Sequence, residues 1–418
     1  MKMLRAAAAL LAGLGLLGLR PDEASYELPP IRYSKTPAAD PVAKLDLQRL
    51  RFEDEHGYLK SFLAALDIPP SSQALVLSKT SFQLRRISPR SPRALYFNDD
   101  VYVGWVQGGE VMEISAVDPQ LGAVFYTLSQ KEVERPRPVR QTDACLQCHD
   151  SRGLALGVPG HIVRSVYPSG DGTPQLNLGT FRTNYKSPFA ERWGGWYVTG
   201  EHGGMRHLGN VTYPDSAPDF ERLAERGANV KDLAGRVDVD PYLSPGSDLV
   251  ALMVLEHQTY VHNLITRANH ETRIAMLQCE DINRLTGDPP GTMTEGTRSR
   301  IRANGEPLVE ALFFSEEAPL TAPVKGTSGF AEAFEKRGPL RKFDLQHRLF
   351  ALPCSYLVYS KAFDGLPPAA KSYVSGRMRD ILLGRDTGKA YAHLTAEDRA
   401  AILKILRDTL PAFTRDWP

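Results

Sequence analysis

Residues 94–128, ALYFNDDVYVGWVQGGEVMEISAVDPQLGAVFYTL, decide the fold class of the first half of the chain. β-rich runs stand at Ala94–Phe97, Val101–Val106, Val111–Val117 and Ala123–Leu128. Asn98-Asp99-Asp100, Gly108-Gly109 and Asp118-Pro119 separate them. These residue types favour turns, through glycine's freedom at positive φ and through side-chain bonds from Asn and Asp to the nearby backbone. Short strands joined by tight turns predict an antiparallel meander.

Outward from this stretch the pattern changes on both sides. Upstream, Asp40–Leu66 carries Leu45, Leu47, Leu50, Leu59 and Leu63 at helix-like spacing, and Asp67-Ile68-Pro69-Pro70 closes it. An amphipathic helix is expected there. Downstream, strand-like runs recur at His161–Tyr167, Gln175–Phe181 and Trp193–Thr199. From Asp219 the chain turns helical. Ser247–Leu285 is a long proline-free stretch, followed by shorter candidates at Thr297–Glu317, Phe330–Lys336, Pro368–Leu383 and Thr395–Leu410. Thr395-Ala396-Glu397-Asp398 reads as a capping box at the head of the last one. The expected class is α+β, with a β-rich half, PAS-like in one reading, followed by a mainly helical half. The expected organisation is a leader over 1–24, an arm and helix over 25–66, a β-rich domain over 67–215 and a helical domain over 216–418.

The leader reading rests on order. Lys2 and Arg5 precede an unbroken apolar run from Ala6 to Leu19, and Arg20-Pro21 ends it. A charged start, a short apolar core and a polar exit predict a secretory signal or an uncleaved signal anchor. The run is short for a comfortable membrane span, and no later segment looks membrane-spanning. Charge is balanced, with 50 Lys+Arg against 49 Asp+Glu in 418 residues, which favours neither nucleic acid nor an acidic membrane surface as a partner. Four cysteines are too few to staple a chain of this length. Cys279 and Cys354 stand alone, either as a disulfide or as buried thiols, while Cys145 and Cys148 share one motif.

That motif is Gln141-Thr142-Asp143-Ala144-Cys145-Leu146-Gln147-Cys148-His149-Asp150, a Cys-x-x-Cys-His. With 4 cysteines and 10 histidines in the chain, chance alone yields about 0.001 such matches. It resembles the haem-attachment motif of the c-type cytochromes. The spacing suits the chemistry. Two thiols separated by a helical turn reach two adjacent haem vinyl groups, and the next residue aims an imidazole at the iron. The resemblance implies one covalent haem c, thioether bonds from Cys145 and Cys148, and His149 as the proximal ligand. It covers about ten residues, and the chain is far larger than compact single-haem cytochromes. A looser similarity is to secreted sensor domains with a c-type haem in a PAS-like sheet. Without haem, the two thiols would be a thioredoxin-like redox pair, which wants a βαβ setting, a zinc site, which wants a second ligand pair, or a strained disulfide.

The second axial ligand separates the functions the motif allows. The glycine-rich segment Trp193–His207 offers His202, Met205 and His207, with His202 first. Met253 and His257, four apart on one helix face, come next, and His161 after them. His202, His207, His257 and His262 could together form a second metal or haem site. Arg152, Arg164, Arg182 and Arg192 are candidate partners of the haem propionates, because Arg meets carboxylates in a bidentate fork. The leading expectation is an exported mono-haem electron carrier with a redox partner protein or a small-molecule oxidant or reductant. The alternatives are a peroxidase-like oxidoreductase with an open distal face and a haem-based sensor or binding module. Catalytic residues cannot be named, because no G-x-S-x-G, phosphate loop or H-E-x-x-H occurs.

Overall fold

A computed structural model describes residues 24–214 and 218–417. The expected leader, residues 1–24, lies outside the described residues except for Ala24. The fold is α+β: a six-stranded antiparallel sheet in the N-terminal half and a mostly helical C-terminal half. The sheet is a pure meander of β1 (Ala74–Val76), β2 (Arg93–Phe97), β3 (Val101–Trp105), β4 (Val111–Asp118), β5 (Gly122–Ser129) and β6 (Val139–Gln141), each beside its neighbours in sequence.

Alternation gives the sheet two unlike faces. On the inner face, Tyr96, Val103, Ile114 and Tyr126 stand in one row, with Met112–Leu128 and Ala116–Val124 beside it. These side chains are buried against an N-terminal arm that brings Tyr26, Ile31 and Tyr33, and against α1 (Leu59–Ala65) with Phe62 and Leu63. The outer face carries the row Leu95, Gly104, Glu113, Thr127 and Val139, and beside it Phe97, Tyr102, Ser115, Phe125 and Gln141. Only one end of this face is fully covered.

The region expected to be one helix over Asp40–Leu66 is helical only at Leu59–Ala65. Local side-chain bonds compete with a helix there. Asp40 Oδ1 accepts from the Val42 and Ala43 N–H groups, and Asp46 Oδ1 from Gln48. Gly57 at φ +59° then closes a tight Glu53–Gly57 bridge just before the helix. After the sheet come α2 (Leu146–His149) and α3 (Arg152–Ala155), then a small ladder of β7 (Arg164–Val166) and β8 (Thr180–Arg182). Trp193–Thr199, expected as a strand, makes only isolated bridges from Trp196 to Val76 and from Thr199 to Asp248. Trp193 at φ +61° and Gly195 at φ +85° break its extension.

The helical half follows α4 (Phe220–Gly227) and is organised by α5 (Leu249–Thr286), a 38-residue helix. Asp248 starts α5: its Oδ1 accepts from the Val250 and Ala251 N–H groups. Its Oδ2 holds the Thr327 and Ser328 N–H groups. Gly287 at φ +80° stops the helix, as the αL position after a helix end requires. The remaining helices are α6 (Glu295–Leu312), α7 (Phe330–Glu335), α8 (Lys361–Asp364), α9 (Pro368–Leu382) and α10 (Ala396–Thr409). The expected capping box is present at α10, with Thr395 and Asp398 each accepting from the other's N–H.

A single buried cluster joins Phe97, Tyr102 and Val117 of the sheet to α5 and to residues as distant as Ile402 and Leu406. The core therefore runs through the expected border near residue 216. Among the described residues, no helix is long and apolar enough to cross a membrane.

Candidate haem-attachment site

The Cys-x-x-Cys-His sequence folds as one helical turn. The Cys148 and His149 N–H groups both donate to the Cys145 carbonyl, at 3.3 and 3.1 Å. That turn places both thiols and the imidazole on a short rigid unit. Cys145 is half-buried against the inner core and Cys148 is exposed. His149 is fixed from two sides by Gly160. Its Nδ1 lies 2.9 Å from the Gly160 carbonyl, and its own carbonyl accepts the Gly160 N–H at 2.9 Å. A carbonyl only accepts, so Nδ1 carries the proton and Nε2 keeps its lone pair. This is the tautomer a metal-bound histidine needs. The ring packs on Phe125, with centroids 4.7 Å apart. Burial lowers the pKa of His149, which also favours the neutral, ligating form.

Gly160 is held in turn by the helical half. Asn263 of α5 accepts the His161 N–H at 2.8 Å and donates to the His161 carbonyl at 2.7 Å. The β-rich half thus presents the motif, and α5 fixes the carbonyl that orients its histidine.

Other uses of the two thiols fit less well. Among the described residues all four cysteines are unpaired, Cys279 and Cys354 included. Burial and the nearby Glu113 carboxylate push the Cys145 thiol up to about 11, whereas a reactive dithiol needs a lowered pKa. No three His, Cys, Asp or Glu side chains among the described residues are grouped as a metal site. Tetrahedral zinc would need such a group, whereas haem iron takes four of its ligands from the porphyrin. The four-histidine site considered from sequence is not assembled.

All the candidate distal ligands but His161 lie elsewhere. The segment holding His202, Met205 and His207 leans on the start of α5, where Gly200 meets Leu249. The motif meets α5 at Asn263, and at 1.5 Å rise per residue these levels are roughly 20 Å apart along the helix axis. His202 and His207 face each other with ring centroids 4.9 Å apart. His202 Nε2 accepts from Asn229 and His207 Nδ1 from Gly209, so in each neutral ring the remaining nitrogen carries the proton and offers no lone pair. Met205 and Met253 are buried in the main core. His257 bonds to Ser355 at 2.8 Å and stacks on Phe314 at 4.2 Å, inside the helical half. His161, adjacent to Gly160, bonds to Ser115 at 2.9 Å and leans on Tyr102 at 4.3 Å.

Of the candidate propionate partners, Arg152 is exposed on α3. Arg164 donates to Thr180, and Arg182 sits over the Tyr260 ring. Arg192 is buried and spent on Glu256, Tyr185 and Ser187. The arginine that shares the motif's electrostatic surroundings is one the sequence reading passed over. Arg93 on β2 pairs with Glu113 on β4 at 3.0 Å, and both charges act on the His149 imidazole. Ser81 donates to the same Glu113 carboxylate at 2.6 Å. The available signal was alternation: Arg93 and Glu113 occupy outward positions of strands whose other face is apolar, and the Arg93 side chain reaches diagonally over Gly104, which faces Leu95 on β2.

Comparison with family models, with curated proteins and with solved structures returns no match.

Proposed function

We propose that this chain is an exported protein carrying one haem c, bound through Cys145 and Cys148 with His149 as its proximal ligand, and that it passes single electrons through that group. The observation that carries the reading is the prepared His149: its Nδ1 proton is committed to Gly160, its Nε2 is left for iron, and two free thiols stand on the same helical turn. When bound, the haem would supply a one-electron couple. The chain's own residues hold it, orient its ligand and set its exposure. Cys148 is exposed, so the thioether edge of the group would reach the surface where a redox partner docks. Export fits this chemistry, because haem c is attached outside the cytoplasm in the family the motif resembles.

A second reading, an open sixth position serving a haem enzyme or sensor, is favoured by one observation. His202, Met205, His207, Met253 and His257 all lie at other levels of α5 and in other packing environments. Haem staining of a denaturing gel, after co-expression with haem-maturation proteins, tests the attachment. Spectra of the reduced protein with and without carbon monoxide separate the two roles. A low-spin haem that refuses carbon monoxide supports electron transfer, and one that binds it supports the open site. Absence of covalent haem refutes both.

A further inference from the structure

We propose that the cleft at the end of α6 binds a small organic amine, its ammonium group held by Glu310, Glu317 and Ser315. The site belongs to the helical half and does not rest on the haem reading. The cleft has a volume of about 550 Å³, in the range of small-molecule sites. Glu310 comes from the last turn of α6, and Phe314, Ser315 and Glu317 from the loop that follows. That loop passes through left-handed backbone twice, at Phe314 (φ +56°) and Glu316 (φ +60°), with Ser315 between them. Residues 347–348 and 389–393 close the other side.

The cleft is acidic inside and basic at its mouth. Phe314 and Ser315 are buried, Glu310 and Glu317 are half-buried, and His347, Lys389 and His393 are exposed. Two of the charges that line it are already matched: Lys186 pairs with Glu316 at 3.0 Å, and Asp398 with Arg348 at 3.1 Å. Glu310 and Glu317 have no ion pair among the described residues. Glu317 accepts the Leu349 N–H at Oε1, 2.8 Å away, which leaves Oε2 free. Burial pushes Glu317 up to about 7 and raises Glu310 as well, the response of carboxylates short of a counter-charge. Ser315 is 1% exposed, and its hydroxyl has no partner. Behind it the Tyr185 hydroxyl is also buried and unpartnered; its ring packs on Phe314 at 5.2 Å, and the Glu310 and Glu317 charges act on it. Buried hydroxyls are ordinarily paired, so two beside unmatched carboxylates point to a ligand rich in donors. An ammonium group has three N–H donors and no acceptor, and suits two carboxylates and a hydroxyl. Phe314 and Pro319 offer apolar wall to its carbon chain. A bare metal ion fits less well, because no three His, Cys, Asp or Glu side chains among the described residues are grouped to hold one. An anion would meet both carboxylates.

Calorimetric titration of the full chain with n-butylamine and, separately, with butyrate tests the site, at a pH above 7 where Glu317 is charged. Butylamine should bind and butyrate should not. Glu310→Gln and Glu317→Gln should each weaken butylamine about ten-fold, since each removes one charge-assisted hydrogen bond. Glu317→Gln keeps the acceptor for the Leu349 N–H and so leaves the loop anchored. Hydrogen exchange of the wild type locates the ligand without any substitution: butylamine should slow exchange in residues 310–319 and 389–393 and leave residues 81–86 unchanged. No binding of butylamine, or equal binding of butyrate, overturns the proposal. Undiminished binding by both variants overturns the roles of Glu310 and Glu317, and protection confined to other segments overturns the cleft as the site.

Discussion

Replacing Gly160 by alanine should destabilise the whole chain through one contact. A Cβ at this position would stand 2.5 Å from Asn263 Oδ1 and 2.9 Å from Asn263 Cγ, inside van der Waals contact. The backbone of Gly160 is not left-handed, so the cost comes from that overlap and not from conformation. Asn263 must move, and both of its bonds to the His161 backbone are lost. Two buried hydrogen bonds with stranded partners cost about 2–4 kcal/mol. Crowding in a packed interior adds about 1 kcal/mol or more. Gly160→Ala should therefore cost about 3–5 kcal/mol, and Asn263→Ala about 2–4 kcal/mol. Urea melts of the wild type, both single variants and the double variant measure this. In the Asn263→Ala background the overlap is gone, and Gly160→Ala should then cost less than about 1 kcal/mol. If it costs the same in both backgrounds, Asn263 is not what Gly160 makes room for, and the account of how α5 steadies His149 fails.

Further predictions follow from other buried groups. Asp248→Ala removes the α5 N-cap and the acceptor for Thr327 and Ser328 together; it should cost about 3–5 kcal/mol, whereas Thr395→Ala at α10 should cost about 1 kcal/mol in the same melts. Burial lowers His207 and His257 to about 3 and His270 to about 4, so below pH 6.5 the unfolded chain takes up protons that the folded chain refuses. Stability should then fall as pH drops from 6.5 towards 4, and His270→Gln should flatten that loss in urea melts taken at successive pH values. Glu317 is shifted the other way, pushed up to about 7 by burial, so its contribution is present below about pH 4.5 and is lost as pH rises towards 7. Glu317→Gln should recover about 1–2 kcal/mol at pH 7 relative to pH 5. A variant whose pH dependence matches wild type would remove that assignment.

What the sequence made legible follows the range of the interactions involved. Strands β2 to β5 lie where apolar alternation and turn residues put them, because period-two burial and tight turns are local. The helices after residue 247 are legible for the same reason: Asp248, Gly287 and the Thr395–Asp398 box mark their ends in sequence. The helix expected over Asp40–Leu66 failed because Asp40, Asp46 and Gly57 offer the backbone closer partners than a helix does. The motif itself is contiguous and needed no fold to be seen. Its neighbours come from far along the chain: Phe125, Gly160 and Asn263 meet His149 or its support only through tertiary packing. The histidines of the Trp193–His207 loop show the limit of composition as a guide. They had the right residue types near aromatic walls, yet the N–H groups of Asn229 and Gly209 occupy one ring nitrogen of each and leave the protonated one buried.

The same contacts explain why so large a chain surrounds so small a motif. A helical turn of four residues cannot fix an imidazole by itself, since its own bonds amount to a single turn. Its orientation is borrowed from Gly160, and Gly160 is steadied by Asn263, midway along a helix that is buried for most of its length. Any shift of α5 relative to the sheet would therefore reach His149 through two hydrogen-bonded steps. Asn263→Asp makes this sharp, because it keeps the acceptor for the His161 N–H and loses only the donor to the His161 carbonyl. It also places a carboxylate in a buried site, so it should be more destabilising at pH 8 than at pH 5. In the haem-loaded protein the same substitution should shift the midpoint potential while the haem stain persists. An unchanged potential would mean that Gly160 holds His149 without help from α5, and that the helical half serves some purpose other than steadying the ligand.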